Sequence, residues 1–165
     1  MTDAPRSRTY SWADQRMDPE QVKRLTGLEF LQAIVAGKLP KPAIADTLGY
    51  TLTEVEKGLA VFEGGTDEFL YNPLGTVHGG YAATLLDSAM ACAIQSTLPV
   101  GTGYTTVELK VNYIRPMTTR TGMVRCEGRM IHAGGRIGTA EGRVVGREDG
   151  KLYAHGTTTC LIFPL

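Results

Sequence analysis

Nowhere in the 165 residues is there an uncharged apolar run long enough to cross a bilayer, and the opening stretch from Met1 to Gln15 has no apolar centre of the kind a leader carries. These absences predict a chain that stays out of the membrane, with the cytoplasm as the expected compartment. Excess charge is missing too: 17 Lys and Arg balance 17 Asp and Glu. No overall field would draw the chain to nucleic acid or to an anionic lipid surface, so any bound anion must be met by a local cluster. Cysteine is scarce. Cys92, Cys126 and Cys160 are odd in number, far apart and set among apolar residues, which excludes a disulfide framework and predicts reduced thiols in a core. No Gly-x-Ser-x-Gly elbow, phosphate-binding glycine loop or dinucleotide fingerprint occurs, and His78, His132 and His155 lack zinc-ligand spacing. Neither a metal nor a resident cofactor is expected.

The length suits one domain with a substantial core. Residues 1–18 are polar and carry Pro5, with Tyr10 and Trp12 as anchors, and read as an arm, mobile or draped over a neighbour. Residues 19–44 read as a helical extension: Asp18 caps, Pro19 opens, and Leu25, Leu28, Leu31, Ile34 and Val35 keep a helical period up to Gly37. Residues 45–165 form the main domain. Within it, 51–62 reads as a strand and 68–71 as a second one across Gly64–Gly65. Four further strands are expected at 105–115, 121–132, 136–147 and 152–163, separated by Pro116, Gly134–Gly135 and the Asp149–Gly150 turn. Between the two sets lies one long apolar helix. A helix that apolar must be covered by the sheet, which predicts an α+β hotdog arrangement of about six antiparallel strands wrapped around one central helix. Residues 42–58 superficially resemble a helix-turn-helix. Glu54 and Glu56 would repel phosphates from such a recognition helix, so that reading is set aside.

Between Glu68 and Glu108 the one formally charged side chain is Asp87, in the run Tyr81-Ala-Ala-Thr-Leu-Leu-Asp-Ser-Ala-Met-Ala-Cys-Ala-Ile94. A lone acid there either bonds a neighbouring polar group as structure or does chemistry. His78-Gly79-Gly80 falls where the helix should begin. It reads either as a capped tight turn or as an oxyanion hole, since glycines bare first-turn N–H groups backed by the helix dipole. Gly79 and Asp87 are eight residues apart, about 12 Å along a helix, too far for both to touch one carbonyl. Two chains with antiparallel helices would bring Gly79 of one to Asp87 of the other, so a homodimer with shared sites is expected.

The run Asn72-Pro-Leu-Gly-Thr-Val-His-Gly-Gly-Tyr-Ala-Ala-Thr-Leu-Leu-Asp87 resembles the signature of the PaaI-type hotdog acyl-CoA thioesterases. Thr105-Thr-Val-Glu-Leu-Lys-Val-Asn-Tyr-Ile-Arg-Pro116 and Gly134-Gly-Arg-Ile-Gly-Thr-Ala-Glu141 extend the resemblance over about residues 45–164. It implies hydrolysis of an acyl-CoA or aroyl-CoA to free acid and CoA, with Asp87 as nucleophile or general base and the Gly79 N–H as carbonyl donor. Asn72 and His78 would shape the substrate side of the loop, and Thr106 would hold the attacking water. A dimer of dimers is implied as well. Lys110, Arg115 and Arg136, with Arg120, are the candidates for CoA phosphates. Gly80, Leu74, Leu86 and Met90, with Leu70, are the expected acyl-pocket residues. The rival readings are a hotdog hydratase or dehydratase and a non-catalytic acyl-CoA-binding domain.

Overall fold

A computed structural model describes residues 5–14, 20 and 23–165. The expected helix start at Asp18 and Pro19 lies outside these residues. Among the described residues two short helices lead into the sheet, α1 at Gly27–Val35 and α2 at Ala43–Leu48. Thr26 starts α1 with a reciprocal cap: its hydroxyl accepts from the Glu29 N–H at 3.2 Å, and the Glu29 carboxylate accepts from the Thr26 N–H at 2.9 Å. The Gly27 N–H donates to the Leu98 carbonyl at 3.1 Å. A Cβ on Gly27 would sit 1.8 Å from the Gln95 carbonyl oxygen, so the start of α1 rests backbone on backbone.

Six strands follow: β1 Tyr50–Glu56, β2 Leu59–Gly65, β3 Thr102–Tyr113, β4 Met123–Ala133, β5 Ile137–Gly146 and β6 Leu152–Pro164. They form one antiparallel sheet in the order β1-β2-β4-β5-β6-β3. Between β2 and β3 runs α3, Gly79–Gln95, with Leu85, Leu86, Ala89, Met90, Ala93 and Ile94 fully buried. This is the hotdog arrangement the pattern predicts. The first hairpin differs in detail from expectation: the chain turns at Gly58, not at Gly64–Gly65, and Glu68–Leu70 is a single 3-10 turn. Gly58 takes a φ of 81°, the left-handed conformation that a tight turn demands, whereas Gly64 and Gly65 lie in the strand.

The sheet bends around α3 where it has no side chains to keep the helix away. Gly128, Gly142 and Gly156 are register partners on β4, β5 and β6, making a glycine row across three strands. A Cβ on Gly128 would lie 2.3 Å from the Ala89 carbonyl, and one on Gly142 2.8 Å from the Met90 side chain. Helix backbone and sheet backbone therefore approach at van der Waals distance, and Leu86 and Met90 fill what remains. All three cysteines are unpaired thiols, Cys126 and Cys160 in the core and Cys92 half-buried on α3. No helix among the described residues is long and apolar enough to cross a membrane.

Candidate active site

The opening of α3 is built by the loop 72–78. The Asn72 side-chain oxygen accepts from the Leu74 and Thr76 N–H groups at 2.9 and 3.3 Å, and its amide donates to the Thr76 hydroxyl at 3.0 Å. Both ends of the Asn72 amide are thus held inside the loop, so Asn72 supports its shape. His78 is the helix cap: its Nδ1 accepts from the Gly80 N–H at 2.9 Å, and its own N–H donates to the Leu70 carbonyl at 2.7 Å. With the Gly80 N–H committed to His78 and the Tyr81 N–H to the His78 carbonyl, the Gly79 N–H meets no acceptor among the described residues. It is a free donor at the positive end of a 17-residue helix.

The Tyr113 ring lies across that donor, with ring atoms 3.0 and 3.1 Å from where a Gly79 Cβ would be. Tyr113 is 57% exposed, so nothing in the described chain covers the outer face of the ring. A cavity of about 370 Å³ opens here between Gly79, Ala82, Tyr113, Arg115 and Tyr153. Arg115 lines it while donating to the Leu152 carbonyl at 2.7 Å. Sequence reasoning did not single out Tyr113, because its approach to Gly79 joins two elements far apart in the chain.

Two turns further along α3, Asp87 and Thr106 meet. The Thr106 hydroxyl donates to Asp87 Oδ1 at 2.8 Å. Oδ2 meets no donor, and no cation pairs with the carboxylate, among the described residues. The bond exists because β3 is bulged: register with β6 shifts between Thr106 and Glu108, leaving Val107 as the extra residue. Of the two candidate threonines, Thr106 bonds the acid, and Thr105 is exposed at the rim of the cleft beside it. A second cavity of about 390 Å³ opens beside the pair, lined by Asp87, Ser88, Tyr50, Phe62 and Thr106. Tyr50 and Ser88 share a hydrogen bond of 3.2 Å at its edge.

The remaining predicted residues are scattered. Leu86 and Met90 are fully buried on the face of α3 that meets the glycine row, and Leu70 is buried behind the 72–78 loop. Leu74 is 88% exposed at the loop tip. The walls beside Asp87 therefore come from other residues. Lys110, Arg115 and Arg136 are exposed, on β3, after β3 and in the β4–β5 turn, and Arg120 is exposed in the turn before β4. Among the described residues no cluster of three or more His, Cys, Asp or Glu could hold a metal ion.

A six-stranded antiparallel sheet wrapped on one helix defines the hotdog class. The family model of the thioesterase superfamily matches residues 74–153, just under half of the chain. The chain is 40% identical over 73 residues to a Halobacterium salinarum protein named for an expected esterase activity, covering 43% of this chain and 46% of that relative. The matched region thus spans about half the length of that relative. Identity to the 1,4-dihydroxy-2-naphthoyl-CoA hydrolase of Listeria monocytogenes is 25% over 91 residues, 55% of this chain and 72% of that protein. Among solved structures, a conserved protein of Pseudomonas aeruginosa is 32% identical with a TM-score of 0.69, covering 74% of this chain and 95% of its own. A phenylacetic acid degradation-related protein of Ralstonia eutropha JMP134 is 29% identical with a TM-score of 0.71, covering 80% and 98%.

Proposed function

We infer that the protein hydrolyses an acyl-CoA thioester to the free acid and CoA, at a site made by two copies of the chain. The observation that carries this reading is the Thr106–Asp87 pair: a carboxylate with one oxygen held and the other free, opening on a cleft. The free Gly79 N–H supplies the complementary half, a donor aimed at the oxygen on which charge develops. On one helix the two are about 12 Å apart, so the carbonyl polarised by Gly79 of one copy faces Asp87 of the other. Asp87 either attacks the carbonyl carbon and expels the CoA thiolate, forming a mixed anhydride that water then hydrolyses to the free acid and Asp87, or takes a proton from a water that attacks instead. In both routes the Thr106 hydroxyl keeps the carboxylate aimed.

Two features support the assembly. β3 is an edge strand, so one side of its backbone is free to pair; Val107 and Tyr113 on it are each 57% exposed, and Ile114 just after it is 46% exposed. Arg115 at the mouth of the Gly79 cavity is our candidate for a CoA phosphate, with Lys110 and Arg136 as further cationic contacts. The named activity of the Listeria relative supports a CoA thioester as substrate class.

The test is thiol release from a panel of acyl-CoA substrates by the wild type, Asp87→Asn and Asp87→Ala. Both variants should remain folded and lose about a hundredfold to ten-thousandfold in kcat. Wild-type turnover in Asp87→Ala would assign the chemistry to another group. A change in enoyl absorbance without thiol release would mark a hydratase.

A further inference from the structure

The cleft at Asp87 does not end at the acid. Helix α3 presents Asp87, Ser88, Ala91, Cys92 and Gln95 on one stripe, at the i, i+1, i+4, i+5 and i+8 positions. The first four of these line the cleft beside Thr106. Cys92 and Gln95 line a further chamber of about 220 Å³, which shares Pro42, Phe62, Cys92 and Tyr104 with that cleft. The chamber and the cleft adjoin at those shared side chains.

Its roof is the N-terminal extension. Ile34 of α1 and Ala45 of α2 face Leu52 and Phe62 of the first hairpin across the space. Both helices are held in place independently of any ligand, α1 by Gly27 seated on the end of α3 and α2 by the buried Ala45 and by Arg8, which donates to the Asp46 carbonyl at 3.1 Å. At the far end the Tyr104 hydroxyl donates to the Gln95 side-chain oxygen at 3.2 Å. The Gln95 side-chain oxygen is thereby occupied by a neighbour. The charged residue on the lining, Lys41, has its ammonium on Asp46.

We propose that this chamber receives the acyl group of the substrate, and that its occupant is an unbranched, uncharged medium-length acyl chain running beneath α1 and α2 along the Asp87–Gln95 stripe. The inference rests on the hydrolysis reading for the position of the carbonyl at Asp87. From Asp87 to Gln95 the helix advances about 12 Å, the reach of a medium-length chain stretched out. The lining is mainly apolar, from Phe30, Leu31, Ile34, Leu52 and Phe62, which suits a hydrocarbon chain. Ile34 and Ala45 are then the specificity-determining residues, and they lie on elements outside the catalytic pair.

The experiment uses the full chain carrying Asp87→Asn, which permits binding to be read without turnover. Calorimetric titration with acetyl-CoA, octanoyl-CoA and benzoyl-CoA should show octanoyl-CoA bound about tenfold or more tightly than acetyl-CoA, because each buried methylene adds affinity. Adding Ala45→Phe, which fills the slot from the roof, should abolish that difference while leaving acetyl-CoA affinity within about twofold. Ile34→Ala, which enlarges the slot and does not crowd it, should move the preference toward decanoyl-CoA. A folded Ala45→Phe variant that keeps the full octanoyl preference would overturn the proposal, as would benzoyl-CoA binding as tightly as octanoyl-CoA. Should Ala45→Phe not fold, an unchanged chain-length preference in Ile34→Ala overturns it equally. Failure of the wild type to release thiol from any substrate would remove the hydrolysis reading alone, since the binding series still decides the slot.

Discussion

Asp87 is aimed by a single hydrogen bond, and that makes Thr106 a measurable part of the site. A hydroxyl bonded to an ionised carboxylate is worth about 1.5–3 kcal/mol, so Thr106→Val should lower kcat by about tenfold to a hundredfold with little change in KM. Thr106→Ser keeps the donor and should restore most of the rate. Steady-state kinetics on the two variants checks this, and a Val variant with undiminished kcat would show that the bond is incidental. Cys92 carries a different consequence. Burial, with a smaller push from the Asp87 charge, raises its thiol from the ordinary 9.0 to about 12. A thiol protonated more firmly in the fold than in the unfolded chain favours the fold below pH 9. That contribution fades as pH rises from there toward 12. Cys92 is thereby an apolar wall residue at neutral pH, not a nucleophile. At this scale much was legible in the sequence. A lone carboxylate in an apolar helix and a His-Gly-Gly at its start are both local signals. Tyr113 over Gly79 was not legible, because no spacing within either segment records a contact made by the fold.

For whole elements the sequence was less informative, for identifiable reasons. α3 is apolar on every side, so its pattern could not say which face meets the sheet. Leu86 and Met90 turn out to fill the core, and the acid face continues through Ala91 and Gln95. The bulge at Val107 leaves no mark in an alternating run, yet it determines which threonine reaches the acid. The two short helices before β1 owe their positions to docking: α2 begins at Pro42 with no side-chain cap. Gly27 is the contact that seats α1, and a Cβ there would stand 1.8 Å from the Gln95 carbonyl oxygen. Gly27→Val should therefore lift α1 from the end of α3 and lower stability by about 1–3 kcal/mol or more. Chemical denaturation measures it, and unchanged stability would mean that α1 is not firmly docked.

On the scale of the molecule, the separation of the free Gly79 donor from Asp87 makes a sharp prediction about two copies acting together. Gly79→Pro removes the donor at a first helical position whose backbone suits proline, behind a His78 with φ of −61° and ψ of 135°, and the exposed Tyr113 ring has to give way by a few tenths of an ångström to the added Cβ. This variant and Asp87→Asn should each be inactive alone. Mixed and reassembled, half the dimers are hybrids and each hybrid has one intact site, so about a quarter of wild-type activity should return. A mixture as inactive as its parts would mean that each chain works by itself.

The glycine row on β4, β5 and β6 bears on how such a site keeps its aim. Where a helix lies on side chains, it can roll by a fraction of a turn as rotamers give way. Here the axle touches its bearing directly, carbonyl against strand, at Ala89 and Gly128. Rolling would drive main chain into main chain, so the carboxylate two residues earlier is locked in azimuth by atoms that have no alternative rotamer.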